Sequence, residues 1–218
     1  MNLQENQGEY GAKTNYFNEE SATGYEKRPH YTGPLGKFRK YRERKAISKT
    51  LDFIEDKSTI LDCPCGNGRW FNLLSKKAKF IIGRDISPGM IKIAKENTQD
   101  ISIKTDITLG DAEKLSLNNY PVDYVFSFAL MKHLPETIKL KVMSEFSTVS
   151  KKGIICSFAL FNKLSYVLWK IRNRDPESYP IWKSDLTKMA EKFNLKILSK
   201  KRLTPLIGLE CVIYFQKK

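Results

Sequence analysis

Apolar residues along this chain fall into two alternating patterns. Short apolar runs of strand length alternate with longer stretches in which apolar residues return every third or fourth position. Lys37–Ile54 is of the second kind, with Ile47, Leu51 and Ile54 at i, i+4 and i+7, and predicts a core-facing helix whose Phe38 and Tyr41 lie off the stripe. The runs Thr59–Asp62, Lys79–Asp85, Ile103–Leu109, Val122–Phe128 and Gly153–Phe161 predict five strands. Between them lie helical stretches at about Gly68–Lys76 (Trp70, Leu73 and Leu74 buried) and after Ser87-Pro88 (Met90, Ile93 and Ala94 inward). Pro135–Ser150 is a third, with Ile138, Val142, Phe146 and Val149 on one side. Ser87 suits an N-cap and Pro88 the first helical position, where a missing N–H costs nothing.

Past the fifth run comes an aromatic insertion, 162–182, with Tyr166, Trp169, Tyr179 and Trp182. A helix capped by Ser184 then follows, with a stripe of Leu186, Met189, Ala190 and Phe193. The runs Leu195–Leu203 and Ile207–Phe215 are joined by a few residues around Pro205, too short a link for a crossover helix, so they are expected to pair antiparallel. Five strands alternating with helices, then a hairpin, predict one open α/β sheet covered on both faces. Residues 1–36 show no sustained period but contain Tyr10, Tyr16, Phe17, Tyr25 and Tyr31. They are expected to form a lid or partly disordered segment before a domain at 37–218.

In such sheets ligands bind beyond the carboxyl ends of the strands, where Asp62, Asp85, Asp111 and Phe128 fall. The first strand runs into Cys63-Pro64-Cys65-Gly66-Asn67-Gly68, and its glycines let backbone approach a ligand closely. Asp85, seventeen residues after Gly68, is placed to accept from a ribose diol. Asp111 is placed to meet an exocyclic amine such as that of adenine. A dinucleotide site is a poor fit, because Phe71 stands where its third glycine belongs, and no ATP P-loop is present. Asp62 suits a cationic group on the ligand better than a pyrophosphate.

Taken in order, these segments resemble the class I S-adenosylmethionine-dependent methyltransferases over roughly Thr59–Phe215. Ile60–Arg69 resembles the family's first motif, Gly83–Met90 its second, Gly110–Glu113 with Leu115 its third, and Val122–Val125 through His133-Leu134-Pro135 its fourth. The resemblance implies a Rossmann-like seven-stranded sheet, order 3-2-1-4-5-7-6 with strand 7 antiparallel and helices on both faces. It implies S-adenosylmethionine as cofactor and S-adenosylhomocysteine as product. The first-motif turn, Cys63, Pro64, Gly66 and Gly68, would then lie under the cofactor, with Asp62 near its methionine amino group. Asp85 would hold the ribose, Ile86 or Met90 pack on adenine, Asp111 and the Ala112 backbone meet the adenine edge, and Phe128 line the methyl region. Pro64 departs from the pattern, which has glycine there; proline cannot supply a positive φ.

Composition sharpens the choice of acceptor. The chain has 38 Lys and Arg against 24 Asp and Glu, a formal net charge of +14, which favours anionic partners. Nine of those cations lie between Lys27 and Lys49, with Glu43 the single acid among them. The base-methylating [DNS]-P-P-[YFW] signature is missing; Ser127-Phe128-Ala129-Leu130 stands there instead. The expected function is methyl transfer to an oxygen or nitrogen of a small, anionic metabolite. The alternatives are an RNA or lipid-headgroup methyltransferase using the Lys27–Lys49 patch, and a binding protein without turnover. His133 is the candidate base, with His30, Tyr16 and Tyr31 as weaker ones. Cys63 and Cys65 have a spacer too short for a zinc knuckle, so no metal is expected. Four cysteines without a secreted-protein framework, and no signal or spanning run, predict a cytoplasmic protein.

Overall fold

The computed structural model describes residues 32–117, 122–171, 178–203 and 209–218. Helix α1 (Gly33–Leu51) is followed by strand β1 (Ser58–Asp62), a single helical turn α2 (Phe71–Leu74), β2 (Ala78–Asp85), α3 (Pro88–Asn97), β3 (Lys104–Leu109) and β4 (Val122–Ser127). A 3-10 turn (Met131–His133), α4 (Glu136–Val149), β5 (Ser150–Phe161) and α5 (Lys163–Ile171) come next. The two-residue β6 (Ile181–Trp182), α6 (Lys183–Lys192), β7 (Leu195–Arg202) and β8 (Glu210–Lys217) complete the order. The sheet runs β3-β2-β1-β4-β5-β8-β7, with β6 pairing β5 at its carboxyl end. Apart from the two-residue β6, this is the expected path. The hairpin is antiparallel as expected, β8 pairing both β5 and β7.

The central strands are buried along most of their length because both faces are covered. One core cluster includes Leu61, Ile82, Val125, Phe146, Ile154 and Phe215; the other, on the opposite face, includes Ile47, Ile60, Phe71, Ile81, Phe126 and Val212. Neighbouring residues of one strand, such as Ile60 and Leu61, thus serve different layers. Ile47, Leu51 and Ile54 are buried as the periodicity required, and Phe38 and Tyr41 are exposed.

Several expectations are corrected. Helix α1 begins at Gly33, with Pro34 in its first turn, so residues 33–36 belong to the folded body; the remainder of the expected lid, with His30, Tyr16 and Tyr31, lies outside the described residues. The stretch 68–76 yields only four helical residues, because Gly68 at φ +77° keeps the chain in a turn until Trp70. In α3 the buried partner of Met90 and Ala94 is Ile91, while Ile93 is half-buried. In α6 the N-cap is Trp182; its N–H is accepted by Asp185, and Ser184 sits inside the first turn.

Phe71 and Gly83 form a complementary pair. A Cβ on Gly83 would stand 2.8 Å from the Phe71 ring, and Phe71 is fully buried. The close helix–sheet approach that a dinucleotide site obtains from a glycine in the helix is obtained here from a glycine in the strand. The aromatic insertion is partly helical. Phe161 gathers Tyr166, Trp169 and Trp182 at ring distances of 5.2, 5.2 and 5.4 Å. Only Ser165 of α5 is buried, and Leu164, Val167 and Ile171 form an outward apolar stripe.

Candidate active site

A cavity opens at the carboxyl edge of the sheet, walled by the segments that follow β1, β2, β3 and β4. Ten of the expected residues line it: Cys63, Pro64, Gly66, Asp85, Ile86, Met90, Asp111, Ala112, Phe128 and His133. The other two do not. Gly68 lies behind the wall, where its α-carbon faces α3; a Cβ there would be 3.2 Å from Thr98 and 3.4 Å from Ala94. Asp62 is fully buried beneath the turn.

The turn after β1 is built by glycines and by β2. Gly66 and Gly68 hold φ +54° and +77°, so the positive dihedrals fall on them and not on residue 64, whose peptide bond with Cys63 is cis. The turn therefore tolerates Pro64. Nothing lies within 4 Å of where a Gly66 Cβ would be, which leaves backbone open to the cavity. Asp85 fixes the turn from the side. One of its oxygens accepts from Gly66 N–H at 2.8 Å and the other from Ser87 N–H at 2.9 Å. Ser87 in turn accepts from Met90 N–H, as the cap reading anticipated. Asp111 accepts from Glu113 N–H at 2.9 Å, which shapes the turn after β3. Phe128 and the left-handed Ala129 (φ +62°) follow β4, and Ser157 Oγ accepts from Ala129 N–H at 2.6 Å. His133 ends the 3-10 turn beyond them.

Asp62 stands apart electrostatically. Neither carboxylate oxygen has a hydrogen-bond partner among the described residues. Burial, reinforced by the Asp85 charge and opposed by Arg69, pushes its pKa well above the ordinary value. A buried carboxylate in that state calls for a cation. Asp85 is also raised, by burial, against the pull of the N–H groups of Ser87, Gly66 and Ile86. Burial pushes the Cys63 and Cys65 thiols up as well; both are free and buried, unlike reactive thiolates.

Residues that the sequence did not nominate complete the wall, notably Arg69 and Trp70. The Arg69 guanidinium lies 4.4 Å from the Trp70 ring centre and 5.2 Å from that of Phe128. It reaches the fully buried Glu43 of α1 at 3.0 Å. Glu43 also takes Arg39 at 3.0 Å; Arg39 meets Glu210 at 2.9 Å, and Glu210 meets Lys132 at 2.6 Å. Burial alone would raise Glu210, but Lys132 and Arg39 outweigh it and hold the carboxyl below its ordinary range. An alternating row of charges thus links the turn after β1 to the turn that carries His133. The motif arginine at 69 was visible in the sequence. Its partner lay 26 residues away, as the lone acid Glu43 in the cationic stretch of a helix.

The sheet order is that of the class I S-adenosylmethionine-dependent methyltransferases, and this chain has their Rossmann-like fold. Residues 60–153 match the family described as methyltransferase domain. Among curated proteins the chain is similar to a demethylmenaquinone methyltransferase of Oceanobacillus iheyensis, 29% identical over 52% of this chain and 49% of that protein. It is also 29% identical to a tRNA (carboxymethyluridine(34)-5-O)-methyltransferase of Arabidopsis thaliana, over 57% of this chain and 28% of that protein. The matches thus span half or less of these relatives. Among solved structures, magnesium protoporphyrin IX methyltransferase of Synechocystis with bound S-adenosylhomocysteine superposes with a TM-score of 0.77. That match is 18% identical and covers 94% of this chain and 100% of that one.

Proposed function

We propose that this protein is an S-adenosylmethionine-dependent methyltransferase that methylates an oxygen or nitrogen of a small, anionic metabolite. The observation that carries this reading is the partnerless, buried Asp62 carboxylate beneath a glycine turn whose Gly66 backbone is open to the cavity. That donor set fits the cofactor. Asp62 answers its ammonium, Asp85 its ribose hydroxyls and Asp111 with Ala112 its adenine edge, while Cys63, Pro64 and Gly66 form the floor. Ile86 and Met90 supply apolar contact for the base, and Phe128 borders the methyl region. The cofactor supplies an electrophilic methyl group on sulfur. The chain's own contribution is alignment and exclusion of water. Phe128, packed edge-on to Trp70 at 5.1 Å, provides an apolar wall there. His133, which lines the cavity beyond Phe128, is the base of this reading and would take a proton from the acceptor. Relatives named for menaquinone and ubiquinone synthesis, and a structural neighbour named for a porphyrin, support a small-molecule acceptor. The cationic excess supports an anionic one.

Calorimetry with S-adenosylmethionine and S-adenosylhomocysteine tests the reading. Binding of both is expected, weakened by Asp85→Ala; no binding of either overturns it and leaves a protein of other function. His133→Ala is expected to remove a pH-dependent limb of turnover, and an unchanged profile removes His133 as base.

A second reading, RNA as acceptor, has its own observation. The outward face of α1 carries Lys37, Lys40, Arg44, Lys45 and Lys49 with the exposed rings of Phe38 and Tyr41, while its single acid, Glu43, is turned inward. Cations interleaved with aromatics suit phosphates and stacked bases. Retention on RNA that falls steeply with salt favours it; no retention at low salt removes it. The same face would serve a lipid headgroup, which anionic vesicles would reveal.

A further inference from the structure

The insertion after β5 carries a surface that methyl transfer leaves unused. Helix α5 is gripped on one side. Tyr166 and Trp169 each pack on Phe161 at 5.2 Å, and Tyr166 meets Trp182 at 5.1 Å. The other side presents Leu164, Val167 and Ile171, at the three- and four-residue spacing of one helix face and each more than half exposed. A contiguous apolar stripe in water calls for cover. Its surroundings state the chemistry of that cover. Lys163 and Lys170 stand two turns apart and border the stripe along one flank; both are exposed, Lys170 with its ammonium 4.9 Å over the Tyr166 ring. The helix contains no acid. Lysines so placed lay their methylene stems along an apolar surface and keep their charge at its border. A second patch of the same make stands at the same edge of the sheet. Helix α1 exposes Leu35 and Phe38 among Lys37 and Lys40, and Arg39 of that stretch meets Glu210 at 2.9 Å. Glu210 opens β8 and pairs with Ala159 near the end of β5, just before α5 begins. Two apolar patches on one edge, both set among lysines in a chain of net charge +14, complement a broad anionic plane better than a compact partner.

We propose that α5, assisted by the first turns of α1, docks the protein on an anionic lipid bilayer. Leu164, Val167 and Ile171 enter the boundary between headgroups and acyl chains, and Lys163 and Lys170 meet lipid phosphates. The helix lies in the surface and does not cross it, since it has nine residues where a span needs about 20. Three partly exposed side chains are a weak anchor by themselves; the cations supply the second signal that docking requires. Charge draws the protein to the surface and the stripe holds it there, so docking is reversible and depends on salt and on lipid charge. The face shares an edge of the sheet with the cavity. Tyr179, between α5 and β6, donates its N–H to Lys132 O at 2.7 Å, next to His133 on the cavity wall. Docking stands independently of the cofactor reading given above.

The test is cosedimentation of the full chain with vesicles of phosphatidylcholine alone and of phosphatidylcholine mixed with phosphatidylglycerol, with melting curves in parallel. The wild type is expected to bind the mixed vesicles at least about tenfold more tightly than the neutral ones. Leu164→Ser/Val167→Ser/Ile171→Ser, which removes the stripe without adding charge, is expected to lose at least about fivefold on the mixed vesicles and to keep its affinity for S-adenosylhomocysteine. Lys163→Gln and Lys170→Gln are each expected to cost about threefold to fivefold, a difference that high salt shrinks. If the triple variant fails to fold, Ile171→Ser, at the most exposed of the three positions, replaces it, with a loss of about twofold to threefold required. Undiminished binding by the serine variants shows adsorption by charge alone, as through α1, and overturns the proposal. So does a wild type that ignores the mixed vesicles, binds both kinds equally, or is retained on RNA and not on lipid. A dimer in sedimentation that the triple variant dissolves shows that a second copy covers the stripe, and overturns it too. Failure of the wild type to bind S-adenosylhomocysteine strikes the cofactor reading instead, so the two failures are distinct.

Discussion

Asp62 carries the sharpest consequence at the level of single residues. Its carboxyl holds a proton in the folded, unliganded protein at pH values where the unfolded chain has lost it. Across that window the native state binds more protons than the unfolded one, so stability falls as pH rises from the ordinary carboxylate range, about pH 4, toward the raised folded value. A ligand ammonium favours the ionised carboxylate, so its binding expels that proton and tightens with pH. Melting temperatures from about pH 5 to 8 are expected to decline less in Asp62→Asn than in the wild type. Calorimetry in buffers of different ionisation enthalpy is expected to register proton release on binding S-adenosylhomocysteine by the wild type and less by the variant. Equal release from both would assign the proton elsewhere. The acid at the end of the first strand was plain in the sequence, as was its preference for a cation. That it sits under the turn and not on the wall was not, because burial of a polar residue depends on what covers it, here a turn whose path is set by Gly66 and Gly68. Glu43 was legible only as a lone acid among cations, since a pairing across 26 residues leaves no local pattern.

Elements joined by buried polar pins come next. Lys139 of α4 is fully enclosed and donates from Nζ to the carbonyl of Leu134 and, at 2.6 Å, to that of Tyr179. Tyr179 N–H returns a bond to Lys132 O at 2.7 Å. One side chain thus stitches the segment before β6 to the loop that carries His133. Burial lowers the Lys139 pKa to about 8. Between about 8 and the ordinary 10.5 the unfolded chain keeps a proton that the folded protein has shed, so this group's contribution to stability rises with pH through that window. Lys139→Met is expected to leave two carbonyls without a donor, at about 1–3 kcal/mol each, and to flatten that rise. Denaturant melts at about pH 7 and 10 check both. Element existence was legible because the periodicities were strong. The errors fell at ends and phases: α2 shrank to one turn because Gly68 takes a positive φ, and α3 turned Ile91 inward where Ile93 was expected, a rotation that only the packing of the helix on the sheet decides.

For the whole molecule, the sheet order was readable from alternation and from the shortness of the final link, but the distribution of surface character was not. The stretch 162–182 read only as an aromatic insertion, yet it holds α5, which turns Leu164, Val167 and Ile171 to solvent at 59%, 51% and 72% exposure, because Phe161 and Trp182 claim its aromatic side. Period alone states that a helix has two faces, not which one the fold uses. Changing all three residues to Glu is expected to leave the melting temperature within about 2 °C and to raise the concentration at which the protein precipitates. A large fall in melting temperature would show that this face is covered. Among the described residues no helix is long and apolar enough to cross a membrane.

Strand β8 lies inside the sheet although it follows every other strand in the chain, wedged between β5 and β7 with seven residue pairs on each side. This has a consequence for biosynthesis. A nascent chain that has emerged only as far as Leu203 can assemble β1 to β5 and the cavity walls they carry, but β5 then presents a long unpaired edge with Ile155, Phe158 and Cys156 along it. Such an edge recruits other strands indiscriminately. A chain broken off before Glu210–Lys217 is therefore expected to be a substrate for chaperones and proteases even though the turns that wall the cavity are all in place.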